Sequence, residues 1–259
     1  MTRHPYHIVD IRPWPLTRAV GTFFMTAGLG RYLNKYDQTL RLVGLIILII
    51  TLSQWWRDVT REAVLQGKHS NKVEDGLRLG ILLFITREVC FFFTFFWTFF
   101  HSSLSVGHEL GGIWPPVGVE PLNPFDVPLL NTTVLLSSGA TITWAHMSLL
   151  NSQWLEAHIS FAATVMLGSF FTFLQAVEYS RCSFTIADSV LGSTFYVVTG
   201  FHGLHVVIGS LFIAVIWIRH YINHFSSLHH IGFEASAWYW HFVDVVWLLL
   251  FICLYWWGF

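Results

Sequence analysis

The chain has 259 residues, of which 54 % are hydrophobic, 17 % aromatic and only 11 % charged, with a formal net charge of −1. An average soluble domain carries about 25 % charged residues, so this chain has too few to coat a water-exposed surface, and the same composition excludes disorder, collagen and coiled coil. With no net positive charge and no basic stripe, nucleic-acid binding is excluded as well.

Residues 1–15 lack an apolar h-region near their start and a small-residue cleavage site, so insertion without a cleaved address is expected. A helix crossing ~30 Å of hydrocarbon needs roughly 20 apolar residues. Seven such stretches follow, at about 16–33, 40–57, 77–100, 129–150, 157–179, 190–218 and 233–257. The second and third are the clearest, reading LVGLIILIITL and ILLFITREVCFFFTFFWTFF. The first and fourth are the weakest, because Gly, Ser and Thr in them suit close packing on neighbours rather than lipid. The expected fold is therefore an all-α integral membrane protein of seven transmembrane helices. It forms one domain over 1–259, with helices 1–2 over about 16–66 and helices 3–7 over about 74–257, parted by the polar 58–76 segment.

The eight prolines lie at 5, 13 and 15 or between 115 and 128, outside every proposed span interior. Proline inside a helix costs ~3 kcal/mol, so long unbroken helices are expected on either side of a non-helical stretch from Gly111 to Pro128. Nine Lys and Arg fall on the side of the N-terminus and four on the other, which places the N-terminus on the matrix-like or cytoplasmic side. Trp55, Trp56, Trp256 and Trp257 sit near span ends, where indole rings favour the interface. Cys90, Cys182 and Cys253 are far apart and form no CxxC pair, so neither a disulfide framework nor a thiolate metal site is indicated.

Glu88 is the sharpest candidate. It lies eleven residues past Leu77, roughly 16 Å into its helix at 1.5 Å per residue. A carboxylate at that depth must be protonated, paired or turned to a cavity. It reads either as a proton-active or lipid-facing group or as a structural hydrogen-bonding one. Arg87 precedes it, but successive helical side chains point ~100° apart, so the two pair directly only if the arginine wraps round; otherwise Arg87 pairs with a carboxylate on another helix or snorkels. His241 and Asp244, three apart in WYWHFVDVVW, share a helix face, as a structural pair between helices or as a proton-conducting one. His202 and His205 are also three apart, but zinc sites need three or four ligands. Gly200, Gly203 and Gly209 beside them predict close helix contact. In QWWRDVTRE (54–62), Arg57 and Arg61 lie four apart on one face. That face suits an anionic lipid phosphate, or alternatively pairing with Asp58 and Glu62. Nothing in the chain makes a complete active site, and no P-loop, HExxH or Rossmann fingerprint appears.

Longer strings carry more information: PWPLT (13–17), QWWRDV (54–59), FFHSSL (99–104), ELGGIWPPVGVEPLNPFDVPLLNT (109–132), TGFHGLHVVIGS (199–210) and GFEASAWYWHFVDVVWLLL (232–250). On these the chain resembles the cytochrome c oxidase subunit III family, in its mitochondrial form, over its whole length. The resemblance implies a seven-helix fold whose two-helix and five-helix groups are separated by a lipid-holding cleft. It implies the mitochondrial inner membrane, with the N-terminus on the matrix side and the C-terminus on the intermembrane-space side.

It also implies a core, non-catalytic subunit of the complex that reduces O2 to water with electrons from cytochrome c and pumps protons. Such a subunit holds no redox cofactor; haem a and copper belong to partner subunits. Its main contact is subunit I, with subunit II, accessory subunits and a respiratory supercomplex as further partners. It supports the stability and proton uptake of the catalytic core. The family's buried, carbodiimide-reactive glutamate falls on Glu88, which with Asp244 makes the proton-related pair of carboxylates. Its phospholipid contacts fall on Trp56, Arg57, Arg61, His69, Glu88 and Arg219. Arg87 departs from the small or polar residue usual in the family, and a guanidinium there favours ionised Glu88 and blunts carbodiimide reactivity. Two other classes compete with this reading. A stand-alone proton-coupled transporter would use Glu88 and Asp244, and a membrane cytochrome would use His202 with histidines of other helices.

Overall fold

The computed structural model describes residues 5–108, 111–120 and 122–257; Glu109, Leu110 and Pro121 of the long 109–132 string lie outside them. Seven long helices run in chain order: α1 (Trp14–Leu33), α2 (Thr39–Val64), α3 (Asn71–Leu104), α4 (Val127–Leu150), α5 (Trp154–Arg181), α6 (Ser189–Tyr221) and α7 (Ile231–Leu250), the last continued by a π-helical turn over Phe251–Trp256. No strand occurs among the described residues. Among the described residues, five helices are long and apolar enough to cross a membrane: α2, α3, α5, α6 and α7 with its extension. The other two, α1 and α4, are the Gly/Ser/Thr-rich stretches expected to be weakest.

The prolines act as helix starters. Pro15 opens α1 and Pro128 opens α4, where the missing N–H has no helical partner to lose. Helix α4 thus begins at Val127, so Pro128 belongs to its first turn and not to the preceding loop. The polar 58–76 segment is mostly helical, since α2 runs to Val64 and α3 starts at Asn71. Eight residues of α2 lie beyond Trp56, about 12 Å of helix, so the Trp55–Trp56 pair is not at its end.

The chain forms two compact units, 1–77 and 78–259, with the division inside α3. In the first unit α1 packs along α2 with the backbones almost touching. A Cβ on Gly28 would lie 2.3 Å from the Arg41 backbone nitrogen, and one on Gly44 would lie 2.4 Å from that of Met25. Trp14 Nε1 donates to Asp58 Oδ2 at 2.9 Å, tying the start of α1 to the second half of α2.

In the second unit α4 packs on α5, α5 on α6, and α6 and α4 on α7. Over its most apolar window α7 is 56 % buried, against 11 % for α3, which makes α7 the central helix of this unit. Its large rings fill the interior and their polar edges are satisfied across helices. Trp240 Nε1 donates to Ser138 Oγ at 2.9 Å, and Trp247 Nε1 donates to Thr132 Oγ1 at 3.0 Å. Buried tryptophan needs such a partner, and the serines and threonines of α4 supply it. Gly209 and Gly168 make room for Trp240, since a Cβ on either would come within 3 Å of its ring. The expectation of close contact at Gly200 and Gly203 is not met: no atom of the described residues lies within 4 Å of a Cβ at either position.

Candidate functional site

Glu88 sits on α3 and is buried. Arg87 does wrap round its own helix, and its guanidinium donates to Glu88 Oε1 at 2.5 Å. The arginine arrives from outside: its side chain is 70 % exposed against 11 % for Glu88, and it rides over the Phe84 ring with Cζ 4.8 Å from the centroid. The second carboxylate oxygen meets α6, where His205 Nε2 stands 3.2 Å from Oε2. The other ring nitrogen, Nδ1, is 2.7 Å from the Phe201 carbonyl. A carbonyl only accepts, so Nδ1 carries a proton. The contact between Nε2 and Oε2 then requires one further proton, held either by the carboxyl or by the imidazole. Phe92, Tyr239 and Phe242 surround the ring and keep the pair in apolar surroundings.

Asp244 is buried on α7. His241 Nδ1 lies 3.7 Å from its Oδ2, as the three-residue spacing predicts, and Oδ1 has no hydrogen-bond partner among the described residues. The carboxylate rests on α4 at Gly139, where a Cβ would lie 2.4 Å from Oδ2. Asp244 and Glu88 therefore engage different helices. His202 and His205 also part company, because His202 Nε2 bonds the Val243 carbonyl of α7 at 3.2 Å.

The lipid candidates divide between the two units. In the first, Trp56 is 63 % exposed and Arg57 bonds its neighbour Asp58 at 3.3 Å. Arg61 is exposed and makes no ion pair among the described residues. Pairing of the arginines with Glu62 does not occur, since Glu62 is taken by Arg12. His69, in the turn after α2, faces His7 with ring centroids 5.9 Å apart. Burial, and then the neighbouring His7, hold its imidazole below the usual histidine range. In the second unit, Arg219 near the end of α6 lies over the Phe225 ring with Cζ 4.5 Å from the centroid, and its Nε is buried with no hydrogen-bond partner among the described residues.

Two polar groups escaped the sequence reading. Glu178 on α5 is buried, accepting from Tyr255 Oη at 2.6 Å and from Gln175 Nε2 at 3.2 Å. Asn131 Nδ2 extends this network by donating to Gln175 Oε1 at 3.2 Å. The depth argument applied to Glu88 does not reach Glu178, which is the next-to-last residue of the fifth apolar stretch, although Gln175 three residues before it shares its helix face. Arg78 and Glu234 make a two-point ion pair between α3 and α7, with nitrogen–oxygen distances of 3.0 and 3.4 Å. They are 156 residues apart in sequence, and no local pattern reveals them.

Apolar helices whose interior holds a carboxylate between a guanidinium and an imidazole define a polytopic helical membrane protein. The family model for cytochrome c oxidase subunit III matches residues 4–259. Cytochrome c oxidase subunit 3 of Pisaster ochraceus is 59 % identical over 256 residues, covering 99 % of this chain and 98 % of that one. The Cyprinus carpio protein of the same name is 58 % identical over 255 residues, covering 98 % of each. That of Heterololigo bleekeri is 55 % identical over 258 residues, covering all of both. The chain belongs to the cytochrome c oxidase subunit III family. It is a membrane-embedded subunit of a multisubunit oxidoreductase of the respiratory chain.

Proposed function

We propose that this subunit supports proton uptake and stability in the oxidase core through the Glu88–His205 pair, with phospholipid as its resident ligand. The observation that carries this reading is the arrangement at Glu88: one carboxylate, one imidazole and a single proton needed between them. An intramembrane carboxyl with a named partner is a functional site by default, and a pair that shares a proton can exchange it without moving its helices. Asp244 with His241 is a second carboxylate–imidazole pair, whose anchoring on Gly139 supports a role in joining α7 to α4.

Lipid binding rests on Trp56, Arg57 and Arg61, an exposed indole and two cations on α2. An indole and guanidinium groups suit the headgroup of a phospholipid. His69, Glu88 and Arg219 join this set through the family resemblance. The main protein partner is subunit I, with subunit II and accessory subunits around it, in the mitochondrial inner membrane with the N-terminus on the matrix side. Haem a and copper belong to those partners.

Gentle detergent extraction followed by native mass analysis and an optical spectrum tests the assignment. Co-migration with a complex carrying haem a and copper, and O2 uptake from reduced cytochrome c, are expected. A lone, colourless seven-helix protein obtained without dissociating any complex would favour the transporter class instead.

A further inference from the structure

The segment before α1 is bound to the end of α2 and the turn that follows it. Arg12 pairs with Glu62, Lys68 Nζ lies 3.5 Å from Asp10 Oδ2, and Ser70 Oγ donates to the Pro5 carbonyl. These ties bring together three side chains from three separate stretches: His7 from the N-terminal segment, Glu62 from α2 and His69 from the turn. One nitrogen of each ring and one carboxylate oxygen all lie within 4.8 Å of one another. The side chains of His7 and Glu62 are only 10 % and 6 % exposed. Among the described residues, His7 Nε2 is buried with no hydrogen-bond partner, 4.0 Å from Glu62 Oε1.

A buried nitrogen lone pair or N–H without a partner costs about 1–3 kcal/mol, so its retention calls for a ligand. We propose that His7, Glu62 and His69 form a binding site for a divalent transition-metal ion. Two imidazoles and one carboxylate are the donor set that zinc takes in open sites, with water as the fourth ligand. Donor atoms about 2.0–2.1 Å from a tetrahedral ion stand about 3.4 Å apart. The observed cluster, within 4.8 Å, must therefore contract by up to about 1.4 Å at its widest, which side-chain rotation supplies. Arg12 is the competitor. Its guanidinium neutralises Glu62 and repels a cation, so metal entry displaces it and loosens one tie between the N-terminal segment and α2. The proposal gives His69 a ligand role besides any lipid contact, and it is independent of the Glu88 reading.

The test is equilibrium dialysis of isotopically labelled zinc against the purified, chelator-washed oxidase, comparing the parent complex with His7→Gln, His69→Gln and Arg12→Ala. The haem a spectrum reports assembly in each case, and zinc held by other subunits cancels in the comparison. Each histidine variant is expected to lose one zinc per complex or to bind it at least about tenfold more weakly. Arg12→Ala should bind that same ion about tenfold more tightly, an effect that a merely structural cluster would not produce. Equal stoichiometry and affinity in all four complexes would overturn the proposal. If a variant does not assemble, anomalous scattering at the zinc edge from zinc-soaked crystals of the parent oxidase decides: a peak between the two imidazoles supports the site and its absence rejects it.

Discussion

His205 Nε2 on α6 lies 3.2 Å from Glu88 Oε2 on α3, while its Nδ1–H is committed to the Phe201 carbonyl. The imidazole can therefore neither rotate freely nor swap tautomers without breaking a bond. The two replacements should differ accordingly. In Glu88→Gln, the amide oxygen still accepts from Arg87 and the amide N–H still donates to His205. His205→Leu leaves a buried carboxylate oxygen unpaired, a loss of about 1–3 kcal/mol. Thermal dissociation of this subunit from the detergent-solubilised complex should show His205→Leu releasing at the lower temperature. The reverse order would show that the pair does not join α3 to α6.

The α1–α2 contact is backbone against backbone at Gly28, so it has no flexible side chain to give way. Gly28→Ala should cost about 1–3 kcal/mol through overpacking. Gly30, with no atom of the described residues within 4 Å of its would-be Cβ, should accept alanine with a change of no more than about 1 kcal/mol, favoured by helix propensity. Denaturant midpoints of the two variants in the same complex measure the difference.

The buried network at Glu178 depends on one strong donor, the Tyr255 hydroxyl at 2.6 Å. Tyr255→Phe should destabilise the subunit by about 1–3 kcal/mol, because a buried acceptor loses its best partner. Glu178→Gln keeps an acceptor for that hydroxyl and should cost less. Unfolding followed by tryptophan fluorescence, with Trp247 packed 5.8 Å from the Tyr255 ring, reports on this region directly.

One pH effect lies outside the membrane. Asp188, just before α6, accepts from the Thr185 backbone N–H at 2.7 Å and from its hydroxyl at 2.9 Å. The backbone bond, then the hydroxyl, hold its carboxyl below the ordinary value of 3.8. A lowered folded-state value means that the stabilisation is present above the unfolded value and is lost as pH falls through the folded one. Exchange of the Thr185 amide, corrected for its intrinsic pH dependence, should therefore accelerate only at acid pH below that ordinary value. Asp188→Asn should remove this pH dependence. Protection that stays constant in the native protein down to strongly acid pH would contradict the assignment.

Periodicity and composition made the helices legible, because hydrocarbon imposes length and apolarity on each span. The two stretches that fall short, α1 and α4, announce themselves by glycine, serine and threonine, which Gly28, Ser138 and Thr132 then use for close packing and for bonds to tryptophan. Glu88 was legible through its depth, but its tie to Arg87 was left open, because neighbouring helical side chains point ~100° apart and only the structure shows the arginine wrapping round. The His205 partner was not legible, since a separation of 117 positions from Glu88 carries no register linking α3 to α6. Arg12 with Glu62 stayed hidden for a related reason. Local spacing offered Arg57 and Arg61 for the acidic groups of α2, and only the return of the N-terminal segment brings in the arginine that takes Glu62.

The central claim is that Glu88 serves proton uptake and not only helix packing. It is tested most directly by the proton uptake rate and the proton-to-electron ratio of the oxidase carrying Glu88→Gln, with haem content measured on the same sample. Slower uptake or altered pumping at unchanged haem content is the predicted result. Unchanged turnover, pumping and stability would contradict it and leave Glu88 as a structural link between Arg87 and His205.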